Sequence, residues 1–202
     1  MATSGYPFMA MDRSYYPRAY QRLGGVPDPL AAVASLALAA TGFDVLRFDY
    51  RGTGESPGRF QDHTFSDWAD DLRLATEALA GLAEGVPITI CGIRLGGLLA
   101  ASVFEQGLGN RLLTWAAPAS GRAMLFDTLR RTLMSDLLAH PDGPRRTRDQ
   151  LIAQIESGDP LNVDGYLWSQ RLWRDSELHT LKFPTLAAPG AQEPARDWLV
   201  LD

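Results

Sequence analysis

The stretch Pro87-Ile-Thr-Ile-Cys-Gly-Ile-Arg-Leu-Gly-Gly-Leu-Leu-Ala100 narrows the folds open to this chain more than any other. An apolar run, a glycine-framed turn and a second apolar run read as a buried strand, a tight turn and a helix packed back on it. Gly92 and Gly96 let strand and helix approach closely, so the residue between them stands exposed above the sheet on a strained backbone. Where such a turn serves covalent chemistry, that residue is a nucleophile. Here it is Arg94, which stays protonated at any physiological pH and cannot attack a carbonyl. The turn predicts an α/β architecture and removes the usual nucleophile from it.

The rest of the pattern agrees. Helical stretches alternate with short apolar runs, which argues for a largely parallel sheet. A helix is predicted from Pro29 to Ala40, with Asp28 near its N-cap and Gly42 past its end, followed by the strand Phe43–Phe48. The glycine-rich loop Arg51-Gly-Thr-Gly-Glu-Ser-Pro-Gly58 comes next. From Ser66 to Ala83, Trp68, Leu72, Ala75, Leu79 and Leu82 recur at helical spacing, and Asp67, Asp70 and Asp71 sit where the helix dipole favours negative charge. A strand is expected at Leu112–Trp115 and a last one at either Pro184–Ala188 or Trp198–Leu201. Between them, Ser120 to Arg174 reads as helical, broken at Pro141–Pro144 and Ser157–Pro160, and is a candidate lid. The expected organisation is one domain, 1–202, with a helical insertion over 120–174.

Length and composition set limits. A chain of 202 residues, 46% hydrophobic, buries one sizeable core. A net charge of −5 argues against a general nucleic-acid binder. The apolar run Leu30–Ala40 is shorter than the ~20 residues a bilayer span needs, and Gly24–Pro29 before it lacks the basic residues of a secretory signal. A cytoplasmic protein without stable membrane insertion is expected, its single cysteine, Cys91, a buried structural thiol. The loop at 51–58 is not a nucleotide site: Pro57 stands where a G-x-G-x-x-G fingerprint needs its last glycine, and no Gly-Lys-Ser/Thr follows. No cofactor and no metal are expected.

The segments Gly42-Phe-Asp-Val-Leu-Arg-Phe-Asp-Tyr-Arg-Gly-Thr-Gly-Glu-Ser-Pro-Gly58 and Cys91-Gly-Ile-Arg-Leu-Gly-Gly97 together resemble the α/β-hydrolase fold superfamily. The resemblance covers most of the chain from Pro29 onward. The Arg-Leu-Gly elbow is similar to a bacterial subgroup of hydrolase-like proteins associated with exosortase and exopolysaccharide systems. The resemblance implies a three-layer α/β domain with a lid-like insertion, here lacking its final strand and helix. It also implies an oxyanion donor in the backbone of Leu95, with Pro7-Phe8 in the region of the second donor. The family's acid corresponds to the stretch Gly190-Ala-Gln-Glu193, where Glu193 takes the acid's place. The family's histidine follows the acid in chain order. None of His63, His140 or His179 does, and each is expected to cap or to lie at the surface.

Arg94 therefore has two readings. At a helix N-terminus a guanidinium adds a bidentate grip on carboxylate or phosphate to a site the helix already makes favourable for anions. Alternatively, it pairs with Asp49 or Glu193 and holds the sheet edge. Two functions follow: a hydrolase of an ester- or acyl-type substrate with Arg94 as electrophile or anion anchor, or a non-catalytic relative. The relative would bind a small anionic ligand, or a protein partner, in a pocket formed with Arg94, Leu95 and Asp49.

Overall fold

A computed structural model describes residues 7–12, 29–54, 56–82, 85–139, 145–182 and 197–201. One sheet contains the five strands β1 (Pro7–Asp12), β2 (Phe43–Arg47), β3 (Thr89–Ile93), β4 (Arg111–Trp115) and β7 (Asp197–Leu201), in the order β2-β1-β3-β4-β7. β1 is antiparallel to both β2 and β3, and the β3-β4-β7 ladder is parallel. The last strand is the second of the two predicted; the alternative at 184–188 lies outside the described residues.

Alternation along β3 and β4 divides the core. Cys91 and Ile93 pack with Leu38 of α1 (Pro29–Ala40), Val45 and Leu113 on one face. Ile90 and Leu112 join the larger cluster on the other, with α2 (Phe65–Leu82) and α3 (Leu95–Glu105). The arrangement is the expected three-layer α/β fold. Gly42, at φ +101°, ends the turn after α1. Burial pushes the Cys91 thiol up to about 12, so it remains neutral.

The sequence of α2 accounts for both its buried face and its start. Phe65, Trp68, Leu72, Thr76 and Leu79 form the buried stripe. At its start, the Thr64 N–H donates to Asp67 Oδ2 at 2.9 Å and the Asp67 N–H donates to Thr64 Oγ1 at 3.3 Å, closing the first turn reciprocally. Asp71 does more than complement the dipole: it accepts from the Arg51 N–H at 2.9 Å and from Arg51 Nε at 2.7 Å, which fastens the loop after β2 to the helix.

Residues 120–174 contain α4 (Gly121–Ala139), α5 (Arg148–Glu156), most of α6 (Gln170–Asp175) and, against expectation, a β-hairpin of β5 (Leu161–Val163) and β6 (Tyr166–Trp168). The helical reading fails there because Asp164-Gly165 takes positive φ at both residues, +51° and +91°, the turn that closes a two-residue hairpin. Alternation of Leu161, Val163 and Trp168 on the buried side completes the strand pattern. Leu125, Leu129, Leu151, Ile155, Leu161, Trp168 and Leu172 share one core with Trp68, Leu95 and Leu98. The ends of this segment meet at its base, where Gly121 N–H donates to the His179 carbonyl and Leu181 N–H to that of Ala119.

A polar cluster ties that base to α2. Asp175 accepts from the Ser66 N–H at 2.9 Å and from the Ser66 hydroxyl at 2.6 Å; His179 Nε2 lies 3.1 Å from Ser66 Oγ and 3.4 Å from Asp175. His179, expected to cap or to lie at the surface, is 11% exposed and meets Ser66 at the start of α2. The serine proton is committed to Asp175 and one imidazole nitrogen faces both partners, so this is a helix-end clasp and not a nucleophilic triad. Burial holds the His179 pKa below that of free imidazole despite the pull of Asp175. The unfolded chain therefore binds a proton that the folded chain resists, and the resulting stability is complete above a pH of ~6.5 and drains below it. Melting temperature is expected to fall between pH 7 and pH 5, with a shallower fall in His179→Gln; equal slopes in the two proteins would remove His179 from the account.

Candidate functional site

Three chain segments converge at the C-terminal ends of β2, β3 and β4, the usual location of ligand sites in open α/β sheets. Arg94 is the residue between β3 and α3, at φ +53° and ψ −120°. This is a strained conformation for a residue with a Cβ, and it is over-determined by its surroundings. Arg94 N–H donates to the Trp115 carbonyl at 2.8 Å, while the Arg94 carbonyl accepts from Gly97 N–H at 2.9 Å. A Cβ on Gly92 would lie 2.1 Å from the Gly96 carbonyl oxygen, so strand and helix touch backbone to backbone. One on Gly97 would lie 2.9 Å from the Ala117 Cβ. The elbow inferred from sequence is present with its strain intact.

The loop after β2 explains its glycines without any phosphate. A Cβ on Gly52 would meet the His63 ring at 2.6 Å, and one on Gly58 would meet His63 Nε2 at the same distance. One on Gly54 would collide with the Asp49 carboxylate at 2.2 Å from Oδ2. The loop wraps the imidazole and the carboxylate. His63, expected to cap or lie at the surface, is enclosed by it, and its Nε2 has no hydrogen-bond partner among the described residues. Trp68 Nε1 donates to the Arg51 carbonyl at 3.0 Å, fixing the loop from the other side.

Between this loop, the elbow and the 120–174 segment lies a cavity of about 60 Å3, which is room for a few waters or a short organic group. Its floor is Arg94, Leu95, Tyr50 and Thr53; Phe60, Phe65 and Trp68 form one wall. Met124, Leu125, Thr128 and Arg131 of α4, with Tyr166, Trp168 and Leu172, form the other. An open recess on the far side of Arg94 is lined by Ala116, Pro118, Ala119, Ala123, Met124 and Asp127. Arg131 is engaged with the Thr128 hydroxyl at 3.0 Å and faces Asp127 at 3.7 Å. The half-buried guanidinium of Arg94 takes no hydrogen bond or ion pair among the described residues.

Leu95 opens α3 beside Arg94 and lines the same cavity, so these two expected site residues come together. Asp49 does not join them: its carboxylate lies against Gly54, and it is absent from the cavity wall. The pairing of Arg94 with Asp49 suggested by sequence is not formed. Glu193, His140 and the Pro141–Pro144 break lie outside the described residues. Pro7 and Phe8 are the first residues of β1, in register with Gly92 and Cys91. Because β1 runs antiparallel to β3, its first residues lie at the elbow end of the sheet and its last at the opposite end.

Sequence reasoning missed Tyr50. It is 2% exposed, lines the cavity, and its hydroxyl has no partner among the described residues. Burial, reinforced by the nearby Asp71, raises its pKa well above the ordinary phenol value, so it is a neutral donor at every physiological pH. Thr53 is unavailable by contrast, since its hydroxyl donates to the Tyr50 carbonyl at 2.8 Å. The only signal in sequence is an aromatic residue directly before the glycine loop.

The elbow predicts opposite responses to two glycine-related exchanges. Arg94→Gly relieves a positive φ that costs of order 1–3 kcal/mol, less the ~0.5–1 kcal/mol of extra chain entropy glycine brings. It is expected to raise stability by about 1 kcal/mol, a few degrees in melting temperature. Gly92→Ala, forced against the backbone of Gly96 and Gly97, is expected to cost about 3 kcal/mol. Thermal or urea melts check both; a destabilised Arg94→Gly protein would show that the side chain, not the backbone, holds the elbow.

Comparison with known proteins fits this geometry: residues 31–162, from α1 to β5, match the family described as serine aminopeptidase, S33. Arg94, Leu95 and the 51–58 loop lie inside the matched span. Among the described residues no helix is long and apolar enough to cross a membrane, and no group of His, Cys, Asp and Glu is arranged to hold a metal ion.

Proposed function

Since the chain belongs to the serine aminopeptidase (S33) family of α/β hydrolases, we propose that its site takes a small ester- or acyl-type molecule and grips its anionic or carbonyl oxygen through Arg94. The observation that carries this reading is a guanidinium uncommitted among the described residues, standing on a strained elbow at the N-terminus of α3 and facing a partly open, mostly apolar cavity. A guanidinium and the adjacent Leu95 N–H can hold a carboxylate or polarise a carbonyl, and neither can form an acyl-enzyme. No histidine lines the cavity among the described residues. This favours binding without turnover: a hydrolase relative that retains the pocket of an enzyme and uses it for a small anion.

The second reading is hydrolysis without a covalent intermediate, and family membership favours it. Water would add to the carbonyl carbon, the negative charge would develop on the oxygen held by Arg94, and the alcohol would leave with the water's proton. Glu193, in the place the family gives its acid, is the residue proposed to take that proton and pass it on. The segment 120–174 is proposed to act as the lid over either ligand. Assignment to the exosortase- and exopolysaccharide-associated subgroup, and a cytoplasmic location, belong to the same proposal. The first rests on the Arg-Leu-Gly elbow, the second on an apolar run, Leu30–Ala40, too short to span a bilayer.

Two measurements on the wild type and Arg94→Ala test this. Sodium butyrate at about a hundred times its Kd stabilises a binding protein by about 2.7 kcal/mol, roughly 5–10 °C for a chain of this size. The shift is expected in the wild type and absent in Arg94→Ala. With p-nitrophenyl butyrate, no burst of p-nitrophenol is expected from either protein; steady turnover lost in Arg94→Ala would select the hydrolytic reading. A stoichiometric burst with an acylated protein by mass spectrometry would overturn both.

A further inference from the structure

The cavity carries a second polar group whose state in the folded protein is unusual. A buried hydroxyl without a partner costs about 1–3 kcal/mol, and native structures retain few of them. Among the described residues Tyr50 Oη is such a group, and Tyr50 lines the same cavity as Arg94, whose guanidinium is uncommitted among those residues. Its position is not accidental slack in the loop. Arg51, the next residue, is clamped to Asp71 through side chain and backbone, and the Tyr50 ring is packed edge-on to Phe48 at 5.4 Å and against Trp68 at 6.1 Å. The phenol is held where no described residue answers it. The remaining wall is chiefly aromatic and aliphatic, with Phe60, Trp68 and Trp168 prominent.

We infer that the ligand is a short-chain monocarboxylate or its acyl equivalent, with one oxygen on Arg94, a hydrogen bond from Tyr50 Oη, and its hydrocarbon tail against the aromatic wall. This deepens the proposed anion site and rests on it. A phosphate or other dianion would present more oxygens than one guanidinium and one phenol can satisfy, and would bring no apolar surface to a cavity lined mainly by apolar atoms. A monocarboxylate uses both donors and buries its methylenes. The small volume of the cavity selects short chains. Tyr50 is a neutral donor, so its hydrogen bond to a charged ligand persists across the physiological pH range.

Isothermal titration of acetate, butyrate and inorganic phosphate into the wild type, Tyr50→Phe and Arg94→Ala tests the inference, with thermal melts confirming that each variant is folded. Butyrate is expected to bind tighter than acetate by about fourfold per buried methylene, and tighter than phosphate. Tyr50→Phe is expected to weaken butyrate about tenfold or more while leaving the melting temperature equal or higher, because it deletes an unsatisfied group. Butyrate binding that depends on Arg94 but is unchanged in Tyr50→Phe would overturn the role of Tyr50 and leave the anion site standing. Phosphate bound as tightly as butyrate, and lost in Arg94→Ala, would overturn the monocarboxylate assignment alone. Failure of the folded wild type to bind any of the three would overturn the inference and the anion site together.

Discussion

The backbone contact between Gly92 and Gly96 fixes the relation of β3 to α3, and the rest of the site is placed by it. With the strand pressed against the first turn of the helix, the intervening residue has no relaxed conformation available and takes φ +53°. A hydrogen bond to the Trp115 carbonyl on one side and another from the Gly97 N–H on the other hold it there. The strain belongs to the scaffold. It is imposed on whatever residue occupies position 94, which separates presentation of the side chain from its chemistry. A serine presented in this way becomes a nucleophile; an arginine becomes a fixed positive charge at the positive end of a helix. The same stored strain supports covalent catalysis in one case and electrostatic recognition in the other.

The charge is local. A chain of net charge −5 offers no long-range attraction for anions, so the proposed recognition of one depends on a local positive charge. Several carboxylates of the fold are engaged by other groups. Asp71 is taken by Arg51, Asp67 by Thr64, Asp175 by Ser66, and Asp49 is wrapped by the turn at Gly54. Each also closes a helix end or a loop.

What is legible in the sequence follows from the range of the interactions involved. The elbow, α1, α2 and the strands β2, β3 and β4 are written in local periodicity and glycine spacing, and sequence and structure agree on them within a residue or two. The hairpin at Asp164-Gly165 is also local, but a helical pattern carried across it conceals the turn. The antiparallel direction of β1 is not readable, since nothing in Pro7–Asp12 records which neighbours it will pair. Tyr50 is hidden for a different reason: a tyrosine in an apolar setting looks like core, and only the completed packing shows that its hydroxyl has no partner among the described residues. The surroundings of His63 and His179 are hidden on the same ground, because chain order says where a base would stand and nothing about enclosure by a glycine loop or contact with a distant helix end.

The family match ends at residue 162, while Tyr166, Trp168 and Leu172 of the cavity wall lie beyond it. The elements that present Arg94 are thus shared with the family, whereas part of the surface that meets a ligand's tail lies outside the matched span. These wall residues are not appended to a finished domain: Trp168 and Leu172 are buried in the same core as Trp68 and Leu98. Ligand preference and folding are therefore coupled through one set of side chains, since enlarging the cavity at Trp168 or Leu172 removes core packing at the same time. Tyr166 is the exception. It is half-buried, packs its ring on Phe60 at 4.8 Å between centroids and is not among the fully buried side chains of the hairpin. Of the wall residues contributed from beyond the matched span, it is the one at which tail preference can change with least cost to the fold.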